Sequence, residues 1–116
     1  IDLKATIGTP IRSVSDGQVF AAGTSPTFGN YIIIKSGNLF FLYAHLNTVP
    51  TISGNITTNQ QVAISGESAT VGEPHLHLEV RERDGTEDYN DMNKLNIEDY
   101  LTTKFDNNGN TIQNEC

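Results

Sequence analysis

Two apolar stretches dominate the chain, "YIIIKS" at residues 31–36 and "LFFLYAHL" at 39–46, separated by the turn dipeptide Gly37-Asn38. Runs this short and this rich in β-branched and aromatic residues read as strands. A two-residue turn makes them antiparallel neighbours, carrying the most apolar part of the core. "HLHLEVRER", residues 75–83, alternates strictly: His75, His77, Glu79 and Arg81 fall on one face, Leu76, Leu78 and Val80 on the other. A one-residue slip would exchange those faces, so burial of the leucines pins the register. Further strands are predicted at "PIRSVS" (10–15), "QVFAA" (18–22) and "QVAIS" (61–65), and Asp16-Gly17 between the first two predicts a hairpin. "GTSPTFGN", "NTVPTISGNITTNQ" and "GESATVGEP" are loops by composition. "NIEDYL" (96–101) can start a short helix capped by Asn96. The pattern predicts an all-β fold: a single-domain antiparallel β-sandwich or open barrel with a short C-terminal helix. The domain spans residues 1–102, and 103–116 form a polar tail whose "DNNGN" reads as a turn.

Length and charge narrow the picture. The 116 residues suffice for one core but not two, and no apolar run is long enough to span a bilayer, so no transmembrane segment is expected. Fourteen acidic against seven basic residues give a net charge of −7, which argues against a nucleic-acid partner. Much of the acidity lies in "RERDGTEDYNDMNKLNIEDY", read as a solvated face. The single cysteine, Cys116, is the last residue and can form no internal disulfide. The chain opens abruptly on "IDLKA", as a piece of a longer protein with an upstream domain would.

Only three histidines are present, and all sit at predicted strand positions. His75 and His77 are one strand period apart, about 6.6–6.8 Å along the backbone, and project to the same side. Such a pair can ligate a metal together, divide ligation from proton transfer, or simply occupy the wet face of a half-buried sheet. His45, at the end of "LFFLYAHL", adds a third imidazole. Three imidazoles and a carboxylate are the usual ingredients of a catalytic zinc site with an open position for water.

"IDLKATIGTPIRSVSDGQV", "FGNYIIIKSGNLFFLYAHL", "QVAISGESATVGEPHLHLEVRE" and "NKLNIEDYL" follow one another in an order that resembles the lysostaphin-type (LytM-like) zinc metallopeptidases, from Ile1 to about Leu101. The resemblance implies zinc-dependent endopeptidase activity on stem or cross-bridge peptides of bacterial peptidoglycan, in the periplasm, at the cell surface or after secretion. It assigns Asp2 to the metal-binding aspartate of an H-x-x-x-D motif and His77 to a second zinc ligand. His75 and His45 match catalytic histidines that do not hold the metal. Gly72 and Pro74 fit the loop leading into the strand, and Leu78 stands where Phe is more usual. Glu79, on the face of the pair, is a candidate to hydrogen-bond a ligand's second ring nitrogen, as carboxylates behind metal-bound histidines do. A solvent-facing glutamate beside Arg81 is the plainer alternative.

One expected element falls outside the sequence. The first ligand of H-x-x-x-D would stand three residues before Ile1, so a chain starting at Ile1 is expected to bind zinc weakly and to be impaired as an enzyme. Two other functions compete with the peptidase: a non-catalytic LytM-like module that binds cell wall or regulates another hydrolase, and a sugar-transport phosphocarrier of similar architecture. The latter has no use for Asp2 in this motif.

Overall fold

The computed structural model describes residues 2–4, 6–68, 75–83, 85 and 88–100, of which 2–4, 75, 98 and 99 are described by their backbone alone. The predicted tail, Gly72, Pro74 and Cys116 lie outside the described residues. Among the described residues nine strands are found: β1 (Asp2–Lys4), β2 (Pro10–Arg12), β3 (Gly17–Ser25), β4 (Gly29–Ser36), β5 (Leu39–Leu46), β6 (Asn55–Ile56), β7 (Gln61–Ile64), β8 (His75–Glu82) and β9 (Asn93–Leu95). The larger sheet runs β1-β8-β5-β4-β3-β6, with β9 also on β8; β2 and β7 form a second sheet of two strands. All these pairings are antiparallel.

The two sheets enclose the main core. Ile11, Val62 and Ala63 of the small sheet meet Ile32, Ile34, Phe41, Tyr43, Leu76, Leu78 and Val80 of the large one. The predicted alternation of residues 75–83 is therefore realised, with Leu76, Leu78 and Val80 buried in this layer. A second apolar cluster covers the opposite face of the large sheet: Ile33, Phe40, Leu42 and Ala44 lie under Tyr89 and Met92, flanked by Phe28 and Tyr31. Burial on both faces explains why β4 and β5 read as continuous apolar runs rather than alternating ones.

Three expectations are corrected. Asp16-Gly17 does not close a hairpin: β2 pairs with β7, and β3 pairs with β4 and β6. Instead Asp16 accepts hydrogen bonds from the Thr58 backbone N–H (2.7 Å) and hydroxyl (2.9 Å), fastening the crossing from the small sheet to the large one. The loop expected at 23–30 shrinks to a turn, because β3 reaches Ser25 and β4 begins at Gly29. The short C-terminal helix is a single 3-10 turn over Ile97–Tyr100, with Ile97 packed into the main core.

Tyr43 ties the layers together. Its ring is fully buried, and its hydroxyl accepts a hydrogen bond from the Val14 N–H at 3.0 Å. Burial raises its pKa to about 12, so the phenol stays neutral. Tyr43→Phe is expected to cost about 1–2 kcal/mol by leaving the Val14 N–H without this partner. Urea unfolding would show it as a lower midpoint at unchanged slope.

Candidate active site

β8 carries the site because it sits between β5 on one edge and β1 with β9 on the other. The register places His77 directly opposite Asp2 of β1 and Ala44 of β5, and His75 opposite Lys4. Residues opposite one another in antiparallel strands share a face of the sheet. The position of Asp2 therefore falls on the face of His77, and that of His75 falls there through the two-residue period.

His45 reaches the same place by a different device. Between Asn30 and Ile32 the register slips: these two steps on β4 oppose the three from Leu46 to Tyr43 on β5, leaving an extra residue in β5. His45 adopts φ 61°, a left-handed conformation uncommon for a side chain of this size. Strict alternation would have sent His45 to the core layer with Phe41 and Tyr43. The bulge instead sets its ring 6.0 Å from that of His77, centroid to centroid. Its backbone is held by His45 N–H to Phe28 O (2.8 Å) and Gly66 N–H to His45 O (3.1 Å).

Hydrogen bonds fix both imidazoles. His45 Nδ1 lies 2.7 Å from the Ser68 carbonyl oxygen. A carbonyl only accepts, so Nδ1 carries the proton and Nε2 is the basic nitrogen of the neutral ring. Ser68 is itself fastened, accepting from Asn30 N–H and donating to Leu46 O. Gly29 (φ +62°) presses against it so closely that a Cβ would lie 2.4 Å from Ser68 Oγ. His77 Nε2 lies 2.7 Å from Glu79 Oε2, and its ring stacks on Phe28 at 6.2 Å.

Glu79 is buried, which excludes the solvent-facing alternative, although its contact with Arg81 is as that alternative had it. Its Oε1 accepts from Arg81 Nε (2.8 Å) and from the Tyr89 hydroxyl (3.0 Å), and Lys94 Nζ stands 3.8 Å from Oε2. Burial alone would raise its pKa, but the His77 hydrogen bond and the charges of Arg81, His77 and Lys94 prevail and bring it down to about 2. An ionised carboxylate accepts only, so His77 Nε2 bears a proton, and in the neutral ring, the form that can bind a metal, Nδ1 carries the lone pair.

Sequence reasoning missed Tyr89. It lay inside the acidic run taken as solvated, yet Tyr89, Met92 and Ile97 are buried there, while Asp88, Asn90, Asp91 and Asn93 are exposed. Tyr89 sits on a 3-10 turn, Tyr89–Asp91, capped by Asp88 accepting from the Asn90 N–H. Between this turn and the β3–β4 hairpin opens a cavity of about 210 Å³, walled by Phe28, Tyr31, Ile33 and Tyr89 with Ser25, Thr27 and Asn90 at its polar parts. Among the described residues no three His, Cys, Asp or Glu side chains group as a metal site.

A β-sandwich that turns histidines and a buried carboxylate to one face of its larger sheet is a scaffold suited to metal-dependent hydrolysis. The model of peptidase family M23 matches residues 1–92, and the chain belongs to that family. It is 35% identical over 81 residues to the peptidoglycan DD-endopeptidase ShyA of Vibrio cholerae, covering 68% of this chain and 19% of the relative. Among solved structures it resembles a zinc-containing peptidase from Vibrio cholerae (TM-score 0.63, 32% identity, 68% of this chain and 25% of that one). It also resembles lysostaphin from Staphylococcus simulans (TM-score 0.73, 25% identity, 86% of this chain and 42% of that one). The chain spans about a fifth of the length of the curated relatives it matches first.

Proposed function

We propose that this domain is a zinc-dependent endopeptidase that hydrolyses amide bonds in peptidoglycan stem or cross-bridge peptides. The observation that carries this is the convergence of His45 and His77, 6.0 Å apart, on the face where Asp2 stands in register with His77. Asp2 and His77 would hold zinc together with a further histidine that the family pattern would place before Ile1. The residues present fit that metal. A neutral imidazole whose second nitrogen is engaged by an ionised, buried carboxylate is the donor chemistry found at zinc centres.

Bound zinc would supply the Lewis acidity that amide hydrolysis needs at neutral pH. His45 accepts a proton at Nε2, while the Ser68 carbonyl opposite its Nδ1–H stabilises the charged ring that results. His75, one strand period before His77, serves the same reaction by orienting the scissile carbonyl or returning the proton to the leaving amine. Among the described residues those lining the cavity beside Phe28 are uncharged, which suits an uncharged substrate side chain. The working place is the compartment that holds peptidoglycan: periplasm, cell surface or exterior. DD-endopeptidase activity belongs to ShyA by name, and the related bond is the natural first substrate to try here.

Glu79→Gln is expected to weaken zinc binding by about 10- to 100-fold, because the neutral amide no longer holds His77 with its charge. Competition with a chromophoric chelator measures it. The function itself is tested by incubating the full-length protein, zinc-loaded or chelator-treated, with synthetic stem and cross-bridge peptides. Zinc-dependent turnover is expected; a folded, zinc-loaded protein that cleaves none of them would sink the reading.

A further inference from the structure

The turn after β8 reaches back into the site in a way that its acidic sequence does not announce. Tyr89 is 7% exposed, its hydroxyl donates to Glu79 Oε1 at 3.0 Å, and its carbonyl accepts from an Arg81 guanidinium nitrogen at 3.1 Å. The Arg81 guanidinium carbon lies 4.6 Å from the centre of the Tyr89 ring. Arg81 also binds Glu79 Oε1 through Nε, with its other terminal nitrogen 2.8 Å from the same oxygen. One carboxylate oxygen is thus clamped from two sides, and the other, Oε2, is left directed at His77 Nε2, 2.7 Å away.

A carboxylate turns about its last side-chain bond with little resistance, since that torsion is broad and two-fold. Arg81 alone, a neighbour on the same strand face, could follow such a rotation. The Tyr89 hydroxyl comes from a separate element and removes that freedom. We propose that Tyr89 is a positioning residue for His77, acting through Glu79 to hold the imidazole in one orientation and one tautomer. The inference rests on the metallopeptidase reading of His77 but concerns residues of this chain alone. It also gives the 88–92 segment a task beyond covering Leu42 and Ala44.

Tyr89→Phe isolates the hydroxyl, because the ring keeps its place against Arg81 and the apolar cluster. In the full-length protein the variant is expected to bind zinc about three- to tenfold more weakly, a smaller loss than for Glu79→Gln since it acts one bond further away. Its kcat on a cleaved peptide should fall by a similar factor at unchanged KM. In the metal-free protein, the imidazole nitrogen-15 spectrum should move His77 from a single Nε2-protonated form to a mixture. A purely packing role would leave all three untouched. Wild-type zinc affinity and an unchanged His77 spectrum in Tyr89→Phe would overturn the proposal. If the wild type binds zinc but cleaves no peptide, the proposed function fails, and the affinity and tautomer readouts still decide the role of Tyr89.

Discussion

His77→Ala is expected to abolish zinc binding and to lower peptide hydrolysis by about a thousandfold or more, while the fold survives. The metal would be lost because the variant removes one of the two ligands proposed within this chain, and a catalytic zinc normally has three protein donors. The fold survives because His77 contributes to neither apolar cluster and its side chain is 23% exposed. Glu79 loses one partner but keeps Arg81, Tyr89 and Lys94, so the stability cost should stay near 1 kcal/mol. Zinc content by elemental analysis and thermal unfolding of the metal-free protein separate the two effects. A His77→Ala protein that retains stoichiometric zinc would show that the ligand has been misassigned within the His75–His77 pair.

His45→Ala should give the complementary result: zinc retained, and turnover reduced by about 10²- to 10⁴-fold, the range for loss of a positioned acid or base. The position has φ 61°, so a second substitution is needed to separate imidazole chemistry from backbone strain. His45→Gly relaxes the left-handed conformation and should be no more active than His45→Ala. Recovery of activity in the glycine variant would mean that the bulge, rather than the ring, serves catalysis.

Much of the fold was legible because burial leaves a trace in sequence. β4, β5 and β8 were found at or near their ends, the first two by apolar continuity and the last by strict alternation. The pieces that escaped were too short to show a period, such as Asn55–Ile56 and Asn93–Leu95. The Asp16-Gly17 hairpin failed because a local turn signal says nothing of partners distant in the chain: β2 finds β7, about fifty residues on.

The site was legible as a set of residue types but not as an arrangement. Nothing in "LFFLYAHL" signals the extra residue that swings His45 out of the core layer and towards His77. The burial of Glu79 is equally hidden, since it depends on Arg81 and on a tyrosine ten residues later. Polar residues reveal their partners only once the chain has folded, whereas a leucine needs only to be covered.

The central claim is that a metal site built on Asp2 and His77 cleaves cell-wall peptides. Its most direct test is mass spectrometry of the fragments released when the full-length protein acts on purified peptidoglycan, before chelation, after it, and after zinc is restored. The expected result is release of peptides bearing a new free amine at one bond, lost with the metal and regained with zinc. Intact peptides in the presence of a folded, zinc-loaded protein, or cleavage indifferent to zinc removal, would contradict it.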